Sequence, residues 1–164
     1  MLTEADPSAL ALAAALGAML LVAAASDIKS RTIPNWLNIV IALSAPLTWW
    51  AQGLALWPDI AVQVGAALTL FAIFFAMFAF GAIGGGDVKL IGALALWIDA
   101  RLLLSLLMIM AIVGGVIAAA MLIHQKVRKT EAVAEVPYGV AIAIAGFWAI
   151  HQQYINQFPP IPTT

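Results

Sequence analysis

The sequence predicts an all-α, polytopic membrane protein of six transmembrane helices with both termini outside the cytoplasm. The first observation behind this is composition. Of 164 residues, 65% are apolar and 9% charged, against roughly 45–50% and about 25% in an ordinary soluble domain. A compact soluble fold of this length has no interior large enough to hide that excess. The second is distribution, because the apolar residues form runs of spanning length and the few charges cluster between them. A net charge of −1 gives no field for phosphates, which excludes a nucleic-acid partner. The chain has no cysteine, so disulfides, thiolate metal sites and cysteine nucleophiles are excluded. One membrane-embedded domain over residues 1–164 is expected, with no cofactor.

A spanning helix needs about 20 mainly apolar residues. Ser8 to Ser26 lacks Asp, Glu, Lys and Arg and forms the first span; Glu4 and Asp6 before it argue against a cleavable signal peptide. Trp36 to Gly53 is the second, opening just after Pro34, where proline suits a helix start. Ile60 to Phe80 is the third and Leu102 to Ile123 the fifth. Pro137 to about Tyr154 is the sixth. The fourth, Val88 to about Ile98, is short and carries Lys89. Basic residues decide that it spans. With six spans, Lys29, Arg31, Lys89, Lys126, Arg128 and Lys129 fall inside and only Arg101 outside, whereas without the fourth span the last three would move out. Trp49, Trp50, Trp57 and Trp97 then fall near the outer interface as an aromatic belt. The Phe158-Pro159-Pro160-Ile161-Pro162 stretch reads as a polyproline-like tail.

The addresses of the eight acidic residues separate two from the rest. Glu131 and Glu135 sit in the basic loop and read as solvated. Asp59 and Asp99 mark outer ends of spans, with Arg101 beside Asp99 as a partner. Asp27 and Asp87 each follow an odd-numbered span, so the topology puts both on the cytoplasmic side, directly against apolar helix. Ionisable groups so placed are functional candidates by default. Asp87 follows Gly84-Gly85-Gly86. Three glycines are costly inside a helix, and they leave room beside the carboxylate for another backbone, such as a substrate strand. The competing reading makes both aspartates helix caps or partners of Lys29 and Lys89. No Gly-Lys-Ser/Thr follows the glycines, so a phosphate loop is not indicated. His124 and His151 fall on opposite sides of the membrane and cannot share a metal.

Three motifs carry a resemblance. Gly84-Gly85-Gly86-Asp87-Val88-Lys89-Leu90 resembles the Gly-x-Gly-Asp-x-Lys-Leu motif of the type IV prepilin peptidases. Asp27-Ile28-Lys29-Ser30-Arg31-Thr32-Ile33-Pro34-Asn35 is similar to their first catalytic loop, and Val136-Pro137-Tyr138-Gly139-Val140-Ala141 to their Pro-Tyr-Gly-x-Ala signature. The motifs stand in family order across roughly residues 8 to 150. The resemblance implies an integral-membrane aspartic endopeptidase with Asp27 and Asp87 as its catalytic pair. It implies substrate-binding roles for Gly84, Gly85, Gly86, Lys89, Pro137, Tyr138 and Gly139. Larger members add a cytoplasmic domain with a four-cysteine zinc site and methylate the product. This cysteine-free chain resembles instead the short, peptidase-only branch serving tight-adherence (Flp, type IVb) pili. Archaeal preflagellin peptidases are similarly short.

The implied partners are a prepilin with a short basic leader and a hydrophobic helix, the bilayer, and other pilus-assembly proteins. In the implied reaction one carboxylate takes a proton from water as it attacks the scissile carbonyl, while the partner carboxyl donates to the developing oxyanion. Lys89 either favours ionisation of the pair or anchors its helix in the headgroups. Two rivals remain. An ion-coupled transporter would use the aspartates as ligands, but no inverted repeat is visible. A non-catalytic assembly subunit would find both aspartates dispensable.

Overall fold

The computed structural model describes residues 7–128 and 136–155. Glu4, Asp6, Lys129, Glu131, Glu135 and the proline-rich tail lie outside the described residues. Those described form an all-helical structure of α1 (Pro7–Ser30), α2 (Asn35–Ala51), α3 (Ala61–Ala79), α4 (Gly85–Ala95), α5 (Ala100–Arg128) and α6 (Tyr138–Ile150). A wide π-type turn, Leu56–Ile60, leads into α3, and another, His151–Ile155, follows α6. Three helical stretches are long and apolar enough to cross a membrane: Pro7–Ser30, Leu56–Ala79 and Ala100–Arg128. Their outward faces carry large apolar side chains, as Leu104, Met108, Ile112 and Val116 do along α5. A four-residue spacing puts these on one stripe, the surface expected against lipid.

The two ends of the helices follow local rules. Pro34 opens α2 with φ of −60°, as a residue of fixed φ should. The exits of α2 and α3 are glycine-closed. Gly81 takes φ of +73°, its N–H meets the Phe78 carbonyl at 2.8 Å, and the Ala82 N–H reaches back to Met77 at 2.9 Å. Gly53 does the same for α2 with φ of +65°. Both are the left-handed closure that lets the last carbonyls find donors.

The shortest helix is largely enclosed. α4 packs against α3, α2 and α6, while α1 lies across α2 and α6, and α5 backs α6. Leu90, Ile91 and Leu94 of α4 are buried, as are Leu16 and Leu20 of α1 and Ile142 of α6. Contacts here are close because the residues are small. A Cβ on Gly146 of α6 would stand 2.7 Å from Leu20 Cδ1 and 3.2 Å from Leu94 Cδ2, the small-residue packing by which helices associate in lipid.

Eleven residues rise only about 16 Å, short of a roughly 30 Å hydrocarbon core. The last carbonyls of α4 therefore emerge inside the protein, where unmet polar groups are costly. Side chains from three other elements meet them. Gln63 of α3 donates to the Ala95 carbonyl at 2.7 Å and also to that of Ile98. Trp49 of α2 donates to the Leu96 carbonyl at 2.9 Å, and Gln153 to that of Trp97 at 3.0 Å. Gln153 Oε1 in turn accepts the Asp99 N–H at 2.8 Å. Trp97 is itself buried, its indole N–H donating to the Ile41 carbonyl at 2.7 Å. Trp50 and Trp57 are exposed as belt residues should be, but Trp49 and Trp97 turn inward to serve this junction.

The helices differ from the sequence-read spans where polar contacts reset their ends. α1 runs on through Asp27 to Ser30, and α4 starts at Gly85 rather than Val88. α5 extends past its apolar run at both ends. At its start Arg101 and Asp99 form a two-point ion pair with Nη2–Oδ2 at 2.6 Å and Nε–Oδ1 at 3.0 Å. These bonds from Arg101 hold the Asp99 carboxyl below the usual carboxylate range.

Replacing the donor side chain tests the α4 junction. Gln63→Leu should destabilise the protein by about 2 kcal/mol, since buried carbonyls lose a donor without gaining one. Thr69→Val, which removes only an exposed bond within α3, should cost far less. Thermal unfolding in detergent micelles measures both, and equal stability for Gln63→Leu and the parent would refute the role given to the glutamine.

Candidate active site

Four helix ends meet at the opposite pole. The exit of α1 and the starts of α2, α4 and α6 converge there, and the chain reverses between α1 and α2 over only Arg31 to Pro34. Arg31 takes φ of 55°, a left-handed conformation rarely adopted by a side chain of this size. Ser26 Oγ donates to the Thr32 carbonyl at 2.7 Å and Ser30 Oγ to the Ser26 carbonyl at 2.9 Å, which pins the reversal. Ile33 is thereby pressed, 94% buried by its 6% exposure, against the start of α4.

Asp27 lies in the last turns of α1, only 6% exposed. Its Oδ2 accepts the Gly139 N–H at 2.8 Å and the carboxyl also engages the N–H of Val140. These are amides of the first turn of α6, which follows Pro137, a residue without a capping side chain. A carboxylate from another helix therefore supplies the cap that helix starts require, with the helix dipole favouring negative charge there. The fit leaves no slack: a Cβ on Gly139 would stand 2.9 Å from both Cβ and Oδ2 of Asp27.

Asp87 sits in the first turn of α4, half-buried, and reaches back to accept the N–H of Gly84. An acid in the first helical turn bonding the capping residue's amide is a standard closure. Asp27 and Asp87 stand close enough to feel each other's charge. Residues 60 positions apart are thus brought to one pole from two helices.

The neighbours of the remaining candidates are now defined. A Cβ on Gly84 would meet Asp87 Oδ2 at 2.8 Å, on Gly85 the Phe78 ring at 3.2 Å, and on Gly86 both Cβ and N of Ile33 at 3.3 Å. The space at these glycines is bounded by the chain's own atoms, so Gly85 and Gly86 are needed for α3 and the α1–α2 reversal to approach α4. Pro137 is buried, and Tyr138 packs its ring edge where a Cβ on Gly114 of α5 would come within 3.0 Å. Lys89 turns from Asp87, as residues two apart on a helix do. Its Nζ donates to Asn35 Oδ1 at 2.8 Å.

Other polar residues lie apart from this pole. Asp59 accepts the Ala55 N–H at 3.1 Å before α3, and His124 and His151 are exposed on different helical segments. Sequence reasoning missed Asn38, 4% exposed, whose Nδ2 approaches the Gly86 carbonyl at 3.4 Å. The signal was present, a lone amide inside an otherwise apolar run, as was Gln63.

The tightness at Gly139 generates a comparison between glycines. Gly139→Ala should cost roughly 1–3 kcal/mol by overpacking against Asp27. Gly115→Ala, where a Cβ meets nothing within 4 Å, should be stabilising by roughly 0.5–1 kcal/mol through helix propensity. Denaturant unfolding in mixed micelles separates the two, and a neutral Gly139→Ala would show that this contact yields at no cost.

Comparison with known proteins gives one positive result. Residues 14–119 match the model of the type IV leader peptidase family. No curated protein and no solved structure matches the chain. The matched segment exceeds half of the 164 residues and includes both aspartates, all of α4 and most of α1. The chain belongs to the type IV leader peptidase family.

Proposed function

We propose that this chain is a membrane-embedded aspartic endopeptidase that removes the leader from type IV prepilins, with Asp27 and Asp87 as its catalytic pair. The observation that carries this reading is that two carboxyl groups from separate helices lie at one pole of an apolar bundle, near enough for their charges to interact. Helix capping alone does not call for both acids at one pole, since neighbouring like charges oppose ionisation.

Chemically, the pair holds one proton between two sites. The ionised carboxyl accepts a proton from the attacking water, and its partner donates one to the carbonyl oxygen, giving a tetrahedral diol. On collapse a proton passes to the leaving amine and the C–N bond breaks. The titration belongs to the pair, so the acid and base roles are not divided between the residues. Asp27 is oriented by the Gly139 amide and Asp87 by that of Gly84, an arrangement that fixes both before substrate arrives.

The rest of the reading follows from charge. Lys29, Arg31 and Lys89 lie at the pole that holds the aspartates, while the acidic Asp59 and Asp99 lie at the other end of their helices. The positive-inside rule makes the aspartate pole cytoplasmic. Six spans within a single domain, both termini outside, put the site on the side from which a basic leader arrives. The cysteine-free sequence favours the Flp (type IVb) branch, with pilus-assembly proteins as neighbours. Gly84, Lys89, Pro137 and Tyr138 border the pole where the leader would enter.

Asp27→Asn and Asp87→Asn should each abolish leader cleavage in membranes, a loss of several orders of magnitude, while the protein accumulates normally. Asp59→Asn and Asp99→Asn should leave cleavage within about twofold of the parent, a small change on the free-energy scale. Normal processing by either Asp27→Asn or Asp87→Asn ends the aspartic-protease reading. For topology, reporter fusions after Arg31 and Lys129 should read cytoplasm and one after Asp59 the outside. An external signal after Lys129 would remove α4 as a span.

A further inference from the structure

On the face of α4 turned from Asp87, a groove of about 470 Å³ runs between α2 and α3. Asn35 and Lys89 stand at one end, with Asn38 a turn deeper. α2 and α4 run in the same direction here, since Lys89 contacts Asn35 while Trp97 contacts Ile41. Ala42 and Leu96 therefore lie ~10 Å further along. Apart from the three named polar residues, every lining residue is apolar. The rim is formed by exposed Ile39, Leu68 and Phe71, so the groove opens onto the surface that faces lipid.

Two features mark its polar end, and the exposed one, Lys89, asks for a counter-ion. Lys89 is exposed and gives one hydrogen bond to Asn35, and no carboxylate pairs with it among the described residues. An ammonium has further donors to offer. Asn38 is 4% exposed and its Oδ1 has no hydrogen-bond partner, an acceptor that folded proteins rarely leave unmet.

We propose that this groove binds one anionic phospholipid. The phosphate sits on Lys89 Nζ at the mouth, and an acyl chain follows the apolar floor past Ala42 and Gly92 towards Leu96. Basic pockets between helices at the cytoplasmic surface recognise such headgroups. The lipid would brace from behind the helix that carries Asp87. This inference rests on membrane embedding and is independent of which residues perform catalysis.

The test is lipid retention. Protein reconstituted with mixed phosphatidylcholine and phosphatidylglycerol, then extracted into mild detergent, is analysed by native mass spectrometry. The parent should retain one phosphatidylglycerol and no phosphatidylcholine. Lys89→Gln should weaken retention about tenfold, equivalent to the loss of one charge-assisted contact. Ala42→Phe, which fills the groove, should abolish retention. Lys126→Gln and Asp27→Asn should retain the lipid as the parent does, whatever Asp27→Asn does to cleavage. Equal retention by Lys89→Gln and the parent, or equal retention of phosphatidylcholine, overturns the proposal. So does one-for-one displacement of phosphatidylglycerol by a hydrophobic helical peptide, which would make the groove a site for a helix. Lys89 is exposed, so Lys89→Gln decides the matter even if Ala42→Phe fails to fold.

Discussion

The structure depends on closing α4 where no water can do it. Its last carbonyls emerge among apolar side chains, and each group left unmet in such surroundings would cost more than most packing contacts return. Gln63, Trp49 and Gln153 reach the segment from three different elements, so the junction also fixes α2, α3 and the turn after α6 around one point. Trp97 completes the closure by tying the segment to the Ile41 carbonyl of α2. A short helix clamped at one end leaves its other end free to be a site.

That other end is built by the same logic with opposite charge. The first turn of α6 has amides to spare and no side-chain cap of its own, and Asp27 supplies one from α1. Asp87 closes the start of α4. Capping gives each of these carboxyls a fixed direction and a backbone N–H partner. The capping role and the proposed catalytic role of the aspartates, which look like alternatives in the sequence, are compatible with one geometry. What capping leaves unexplained is why both acids lie at one pole.

Glycine serves this pole as a spacer for the chain's own segments. Gly86 admits Ile33 from the α1–α2 reversal, Gly85 admits Phe78 from α3, and Gly139 admits Asp27. Each allows a backbone or carboxyl to come closer than any side chain would permit. Lys89, adjacent in sequence to this cluster, belongs to another face, with Asn35 and the groove behind α4. Two neighbouring letters of one motif therefore serve two surfaces, because a helix separates residues two apart.

By itself the sequence determined the all-helical class, the apolar runs and the two aspartates worth singling out. These depend on composition and spacing, which need no partner to be read. It placed α2 and α3 well, because their ends are marked by Pro34, Gly53 and Gly81, and ended α5 short of Arg128. It set α1 and α4 off by a few residues, because their true ends depend on Asp27 meeting Gly139 and on Asp87 meeting Gly84, and the first of these contacts joins residues over a hundred positions apart. It assigned Trp97 to an interface that only fits a span ending in lipid, whereas the protein buries the indole to satisfy Ile41. Only the tertiary structure decided which glycines face which neighbours, that Lys89 turns from the acids, and that Asn38 and Gln63 matter. The physical reason is common to all of these: hydrophobic patterning is local, but a buried hydrogen bond is satisfied by whichever element folding brings beside it.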